Sequence, residues 1–333
     1  MPNNFKNDVN ITGYVFSTNF RTGVSKATAK WHPNEAYISG NLHIATDDEG
    51  MNVVPVNFFV YEKREDRKTG QVIPNETYQT LRQLMTCATF ETSGTQAPKV
   101  RVSGTVDTND FYSTRSSEVI SAQRVNGRFV HIMTPGTKPT PANFQVDIVA
   151  TSAVEREVEG RAPFVDVRGY AFNYNQTRVY PVRFECQDEN GMAFLEGLEA
   201  SSTNPVSLSV WGDIRTTVIE RVPQEQEAVV SGFGTRPVIS GNTTSTVRSW
   251  VITGADTDRI PEFGEVEPLT KSGMKQLIDE RNLNLANIKA RGEMNSGTAS
   301  SYPAASTKAS ASTPAASFSI PSGAEIYDDE LPF

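Results

Sequence analysis

The chain has 333 residues, 37% hydrophobic and 21% charged, with a net charge of −8. That is enough apolar material for two cored domains, and no apolar run reaches the ~18 residues of a membrane helix. Only two cysteines, Cys87 and Cys186, and three scattered histidines, His32, His43 and His131, are present, which excludes a disulfide framework and a Cys-rich metal site and fits a reducing compartment.

The start, Met1 to Asn10, is polar and lacks the apolar stretch of a secretory leader, so a cytoplasmic protein is expected. Val9 to Phe16, Tyr37 to Ala45 and Val53 to Tyr61 alternate apolar and polar residues and are rich in β-branched and aromatic side chains, which predicts three strands. Asp47-Asp48-Glu49-Gly50 is the turn between the second and third. Asn75 is placed to cap a helix carrying Tyr78, Leu81, Leu84 and Met85 at helical spacing. Val100 to Val106 and Arg128 to Met133 read as two further strands. Three strands, a helix and two strands is the element order of an OB-fold, a five-stranded Greek-key barrel.

The pattern repeats. Val54-Pro55-Val56-Asn57-Phe58 returns as Tyr180-Pro181-Val182-Arg183-Phe184, the run around Gly40 returns around Gly169, and the run around Gly104 returns around Gly212. Met192 to Leu198 supplies the second helix. A constant order with drifting offsets is what two related domains with different loops produce. The expected fold is therefore all-β, two tandem OB-like barrels, with one larger β-sandwich as the competing architecture. Gly40, Gly104, Gly169 and Gly212 are expected to relieve crowding where barrel strands bend. Leu269, Met274, Leu277, Ile278, Leu285 and Ile288 recur in a helical pattern bracketed by Pro268 and Gly292. From Asn295 to Ala324, 25 of 30 residues are Ala, Ser, Thr, Pro or Gly, too little apolar surface to offset ordering entropy, so a disordered linker is expected. The expected organisation is barrel 1 over 1–140, barrel 2 over 141–262, a helical segment over 263–294, the linker over 295–324 and an acidic tip over 325–333.

The tip is the most informative motif. Four carboxylates precede Leu331-Pro332-Phe333. Solubility alone needs no apolar end, whereas a docking peptide does: acids steer the encounter and an apolar residue fills a pocket. Asp328, Asp329, Glu330, Leu331, Pro332 and Phe333 resemble the acidic tip of bacterial and phage single-stranded DNA-binding proteins, and the layout of barrel, low-complexity linker and tip is similar to theirs. The resemblance covers the architecture and not the barrel sequence. Single-barrel members assemble as tetramers, and the two barrels here match the two-barrel members that dimerise. The resemblance implies sequence-independent binding and protection of single-stranded DNA in replication, recombination and repair, with the tip recruiting partner enzymes of those processes. No cofactor and no membrane association are expected.

Binding single strands without sequence preference needs cations for phosphates and flat aromatic faces for bases, carried in OB-folds by strands 2 and 3 and the 1–2 and 4–5 connections. Residues 1–145 hold 15 Lys or Arg against 13 Asp or Glu, whereas 146–261 hold 10 against 16, so the first barrel is the candidate. Its 1–2 connection, Asn19 to Asn34, contains Phe20, Arg21, Lys26, Lys30 and Trp31 and no acid. Its 4–5 connection contains Phe111, Tyr112 and Arg115, together with Arg124 and Arg128. On and after strand 3 stand Phe58, Tyr61, Lys63 and Arg64. Trp31, Phe20 and Phe58 each have a packing role as the rival reading. The second barrel carries Tyr170, Phe172, Tyr174, Arg178, Tyr180 and Arg183 and is expected to serve as an accessory or dimerisation module. No phosphate-binding glycine loop and no nucleophile turn occur, so an enzyme is not expected. The rival functions are a carbohydrate-binding or phage structural β-protein and a strand-annealing recombination mediator.

Overall fold

In a computed structural model the described residues are 5–29, 32–66, 68–158, 161–220 and 244–298. The first barrel is built from β1 (Asn7–Val24), β2 (Ala36–Ala45), β3 (Val53–Tyr61), β6 (Lys99–Ser113) and β7 (Glu118–Ile132). A small hairpin, β4 (Lys63–Glu65) and β5 (Val72–Pro74), and the helices α1 (Glu76–Leu84) and α2 (Phe90–Ser93) lie between β3 and β6. β1 pairs antiparallel with β2, β2 with β3, and β6 with both β7 and β1. The circuit closes where β3 meets β7 in parallel, at Val56 and Val125. The second barrel repeats the circuit with β8 (Thr140–Arg156), β9 (Phe164–Phe172), β10 (Val179–Cys186), α3 (Glu189–Gly197), β11 (Val206–Glu220) and β12 (Thr244–Asp256), closing in parallel at β10 and β12. These are two OB-type closures, and a single two-layer sandwich has no such parallel strand at the seam of each circuit.

The interior follows from alternation. Val54, Val56, Phe58 and Val60 of β3, and Val165, Val167 and Ala171 of β9, point inward and are buried. Asn75 caps α1 by accepting from the Thr77 N–H at 3.1 Å, and Tyr78, Leu81 and Leu84 turn the helix into the core of the first barrel. Asp188 plays the same part for α3, accepting from Gly191 N–H at 2.9 Å, and Leu195 is buried. The four mid-strand glycines sit where strands cross closely. A Cβ on Gly40 would overlap the carbonyl of Asn19, and one on Gly212 that of Val251.

Two strand pairs run much further than the apolar alternation. β1 and β2 stay paired to Val24 and Ala36, and β6 and β7 to Ser113 and Glu118. Most of the expected 4–5 connection, and its counterpart Asn19 to Val24 at the start of the expected 1–2 connection, is thus two-stranded ribbon. Backbone pairing needs no apolar side chains, and beyond the barrel core neither ribbon lies on a continuous apolar layer, one face of the second being covered by the last helix through Tyr112 and Asp110, so alternation fades while the strands continue.

The barrels share a seam. The first half of β1 pairs with β6 on one edge and with β8 on the other, in the register Asn7 to Val146 and Asn10 to Asn143. Asn7 is buried there, and its amide donates to the carbonyls of Val106 (3.1 Å) and Phe172 (3.0 Å) while accepting from Val106 N–H.

The last helix, α4, spans Lys271–Thr298. It starts close to the expected point, but Gly292 lies within it rather than after it. At Gly292 the helix passes over the Tyr112 ring, which a Cβ would overlap. The low-complexity segment beyond Thr298 and the acidic tip lie outside the described residues.

Candidate functional site

The outer face of β1, β2 and β3 is set by the same alternation that builds the core. With Val54, Val56, Phe58 and Val60 inside, Asn57, Phe59 and Tyr61 must face out. Strand register then forms three cross-strand rows: Gly23, Tyr37 and Tyr61; Arg21, Ser39 and Phe59; Asn19, Asn41 and Asn57. Tyr37 stacks on Phe59 with centroids 5.1 Å apart, and Phe59 meets Tyr61 edge-on at 5.2 Å. Gly23 makes room for the Tyr37 ring, since a Cβ there would touch it. Phe59 is 54% exposed, an uncommon state for a phenylalanine. His32 extends the cluster by stacking on Tyr61 at 4.3 Å, its Nδ1 2.6 Å from Glu35 Oε2. The other Glu35 oxygen accepts from Lys63 N–H at 2.7 Å, fastening the start of the β4–β5 hairpin beside the aromatics.

The expected site residues separate into groups on this frame. Tyr61 is on the outer face, with Arg21 exposed in the next row. Lys26 is exposed just past β1, and Lys63 and Arg64 are exposed on β4. Among the described residues none of Arg21, Lys26, Lys63 and Arg115 is in an ion pair. Lys30 and Trp31 lie outside the described residues.

Phe58 does not lie on the outer face. It is fully buried, and Phe20 points inward beside it, half-buried with its ring edge-on to Phe58 at 6.4 Å. Both are core packing. The outward-facing rings beside Tyr61 are instead Tyr37 and Phe59, which residue type alone did not single out. The aliphatic alternation of Val54, Val56 and Val60 carried the signal, because it assigns Phe58 to the core and Phe59 to the opposite face.

The β6–β7 ribbon has a different setting. Phe111 is 41% exposed and Arg115 is exposed in the turn. Tyr112, on the other ribbon face with Asp110, packs under α4. Arg281 of α4 binds Asp110 and also Ser121 Oγ (2.9 Å). Two more cations of this ribbon are neutralised within the chain, Arg124 by Asp107 (3.1 Å) and Arg128 by Asp8 (2.7 Å).

In the second barrel the aromatic ladder is largely spent on packing. Phe172 is buried and stacks on Phe5 at 4.9 Å, and Ile260, Leu269, Met274 and Leu277 close over it. Tyr170 packs at the edge of the same cluster. Burial pushes the Tyr170 and Tyr180 phenols up from their usual range. Only Tyr174 is widely exposed.

Two groups near the first barrel's face have shifted protonation. Burial, and secondarily the Arg248 charge, holds the His43 imidazole below its usual value. Burial, then the hydrogen bond to Asp48 (2.8 Å), pushes the Tyr14 phenol up to about 12. Among the described residues no group of three or more His, Cys, Asp or Glu side chains could hold a metal ion, and no helix is long and apolar enough to cross a membrane. What the face offers is rings, amides and unpaired cations, a surface for stacking and hydrogen bonding.

Comparison with known proteins gives one family and a distant structural likeness. The sequence profile of the YorF family matches residues 6–291. No curated protein matches the chain. Two solved structures similar to it are forms of the single-stranded DNA binding protein from Thermus aquaticus. A deletion mutant shares 12% identity over 64% of this chain and 88% of its own, with a TM-score of 0.42. The wild type shares 12% over 64% and 86%, with a TM-score of 0.41.

Proposed function

The chain belongs to the YorF family, and from the geometry of its first barrel we propose that it binds single-stranded DNA without sequence preference through the outer face of that barrel. The observation that carries this reading is the open cluster of Tyr37, Phe59 and Tyr61, flanked by Arg21, Lys26 and Lys63. Every base has a π-face, so exposed rings bind bases of any sequence, and nearby cations follow the phosphates. Tyr37, Phe59 and Tyr61 stack bases, with Trp31 as a further ring between β1 and β2. Arg21, Lys26, Lys30, Lys63 and Arg64 supply charge, and from the second ribbon Phe111 adds a ring and Arg115 a further charge.

In this reading the acidic tip, Asp328 to Phe333, recruits replication, recombination or repair proteins in the cytoplasm. A carboxylate-rich segment with apolar residues beside it suits a basic-rimmed apolar pocket on such a partner.

The test is fluorescence anisotropy of a labelled oligo-dT of about 35 nucleotides, longer than two barrels need at ~4–16 nucleotides each. Salt-sensitive binding that Phe59→Ala weakens supports the reading, and no binding by the full chain removes it. The row Asn19, Asn41 and Asn57 beside the aromatics also suits sugar hydroxyls, so binding of a neutral oligosaccharide, insensitive to salt, would favour the carbohydrate alternative.

A further inference from the structure

The two barrels can be aligned residue by residue through their bulge glycines. Gly40 lies opposite Phe20 and Phe58, and Gly169 lies opposite Ala150 and Val182. One step back along each strand, Ser39 with Arg21 and Phe59 corresponds to Arg168 with Ser152 and Arg183. A further two residues back, Tyr37 with Tyr61 corresponds to Asp166 with Glu185. Where the first barrel presents a ring cluster, the second therefore presents charge.

That charge is arranged around one carboxylate. Asp166 is 1% exposed, and three arginines approach it: Arg183 Nε at 2.6 Å, Arg168 Nε at 3.0 Å and Arg156 Nε at 3.1 Å. Each approach is through Nε, the inner nitrogen of the guanidinium: those of Arg168 and Arg183 donate hydrogen bonds to the carboxylate, whereas that of Arg156 makes none. The three side chains remain 31–44% exposed. One anion against three cations leaves a surplus of two positive charges. Arg168 and Arg183 moreover face each other directly across antiparallel strands, where like charges are destabilising. Glu185, opposite Asp166 on the neighbouring strand, is taken by Arg161 (2.5 Å). Folding gains little from the third arginine, whose Nε makes no hydrogen bond to Asp166, whereas a diester phosphate gains guanidinium donors able to bind it in pairs.

We propose that Arg156, Arg168 and Arg183 form a phosphate site on the second barrel, for the phosphodiester backbone of a single strand. The inference rests on the single-strand reading of the first barrel and adds a division of labour: rings hold bases on one barrel, and guanidiniums hold backbone on the other.

The double variant R168Q/R183Q keeps Arg156 as the counterion of Asp166 and is compared with the wild type and with Phe59→Ala in oligo-dT binding at several salt concentrations. The slope of log K against log salt is expected to fall by about 1.4, from ~0.7 per phosphate contact on single strands, whereas Phe59→Ala lowers affinity at constant slope. A wild-type slope in the folded double variant overturns the phosphate site and leaves the first-barrel reading standing. No binding by the wild type overturns both. Should the variant fail to fold, phenylglyoxal labelling of the wild type decides. Protection of Arg156, Arg168 and Arg183 by oligo-dT, but not by inorganic phosphate or thymidine monophosphate, supports the backbone site. Equal labelling with and without oligo-dT overturns it, and equal protection by inorganic phosphate reassigns it to free phosphate.

Discussion

Arg281 of α4 grips Asp110 of β6 through two parallel hydrogen bonds, Nη2 to Oδ1 at 2.7 Å and Nη1 to Oδ2 at 2.9 Å. Both side chains are mostly buried, 11% and 18% exposed. The pair ties the terminal helix to a ribbon of the first barrel, although the same helix begins on the second barrel, where Leu269, Met274 and Leu277 cover Phe172. Removing one partner strands the other in a desolvated place, which for fully buried pairs costs about 3–5 kcal/mol. Arg281→Ala is expected to cost roughly half that, because solvent still reaches the pair. Denaturant unfolding gives the stability change, and hydrogen exchange should show faster opening of residues 107–124. A loss below a few tenths of a kcal/mol would mean the helix is held by its apolar contacts alone.

Gly292 and Tyr112 give a prediction of unusual sign. Gly→Ala within a helix ordinarily stabilises by about 1 kcal/mol. Here the new methyl would occupy the space of the Tyr112 ring, so Gly292→Ala should destabilise, and Tyr112→Ala should restore the gain in the double variant. Thermal melts of the four proteins form the cycle. Stabilisation by Gly292→Ala alone would show that α4 does not lie on the ribbon in solution.

Neighbours on β3 should behave oppositely. Phe58→Ala opens a cavity in the core and should cost about 3–5 kcal/mol of stability. Phe59→Ala should leave stability nearly unchanged and weaken oligo-dT binding by roughly 1–3 kcal/mol. Tyr37→Ala should follow Phe59, losing in addition their mutual stack. Urea titrations and anisotropy, run on the same preparations, separate the two effects. Equal binding loss from both phenylalanines, at matched folded fraction, would contradict the assigned faces.

His43 makes a pH prediction. Its folded-state pKa is held below the ordinary 6.5, so the unfolded chain takes up a proton first as pH falls. Above about pH 6.5 the imidazole is neutral in both states and contributes nothing to the pH dependence. Stability should then decline as pH drops through 6.5 toward the lower folded-state value, and level off for this group beneath it. His43→Gln should flatten that part of the stability profile, measured by denaturant midpoint across pH 7.5 to 5. An unchanged slope in the variant would assign the loss to other groups.

The sequence made the order of elements legible because each relies on local signals: alternation for β3, which begins and ends where expected, and Asn75 before a helical triplet for α1. The glycine repeats located equivalent strands for the same reason. The ribbons were less visible, since a paired strand that leaves the barrel core loses its apolar alternation. On the candidate surface, Tyr61 and Arg21 were readable, while Phe58 and Phe59 demanded parity rather than residue type. The covering of Phe172 by residues more than eighty positions later depends on tertiary docking, and Gly292 looked like a helix stop because its neighbour Tyr112 is remote in sequence. Arg168 and Arg183 could be paired only once register was known.

The seam between β1 and β8 has a consequence for stoichiometry. Each barrel lays its first strand against the first strand of the other, antiparallel, with Asn10 opposite Asn143. Unpaired, such an edge is a ready template for a second molecule. Here the chain satisfies it internally, so one polypeptide already contains the pairing that two single-barrel chains could make by meeting edge to edge. That edge is therefore not open to a second copy, and the number of copies is not dictated by it.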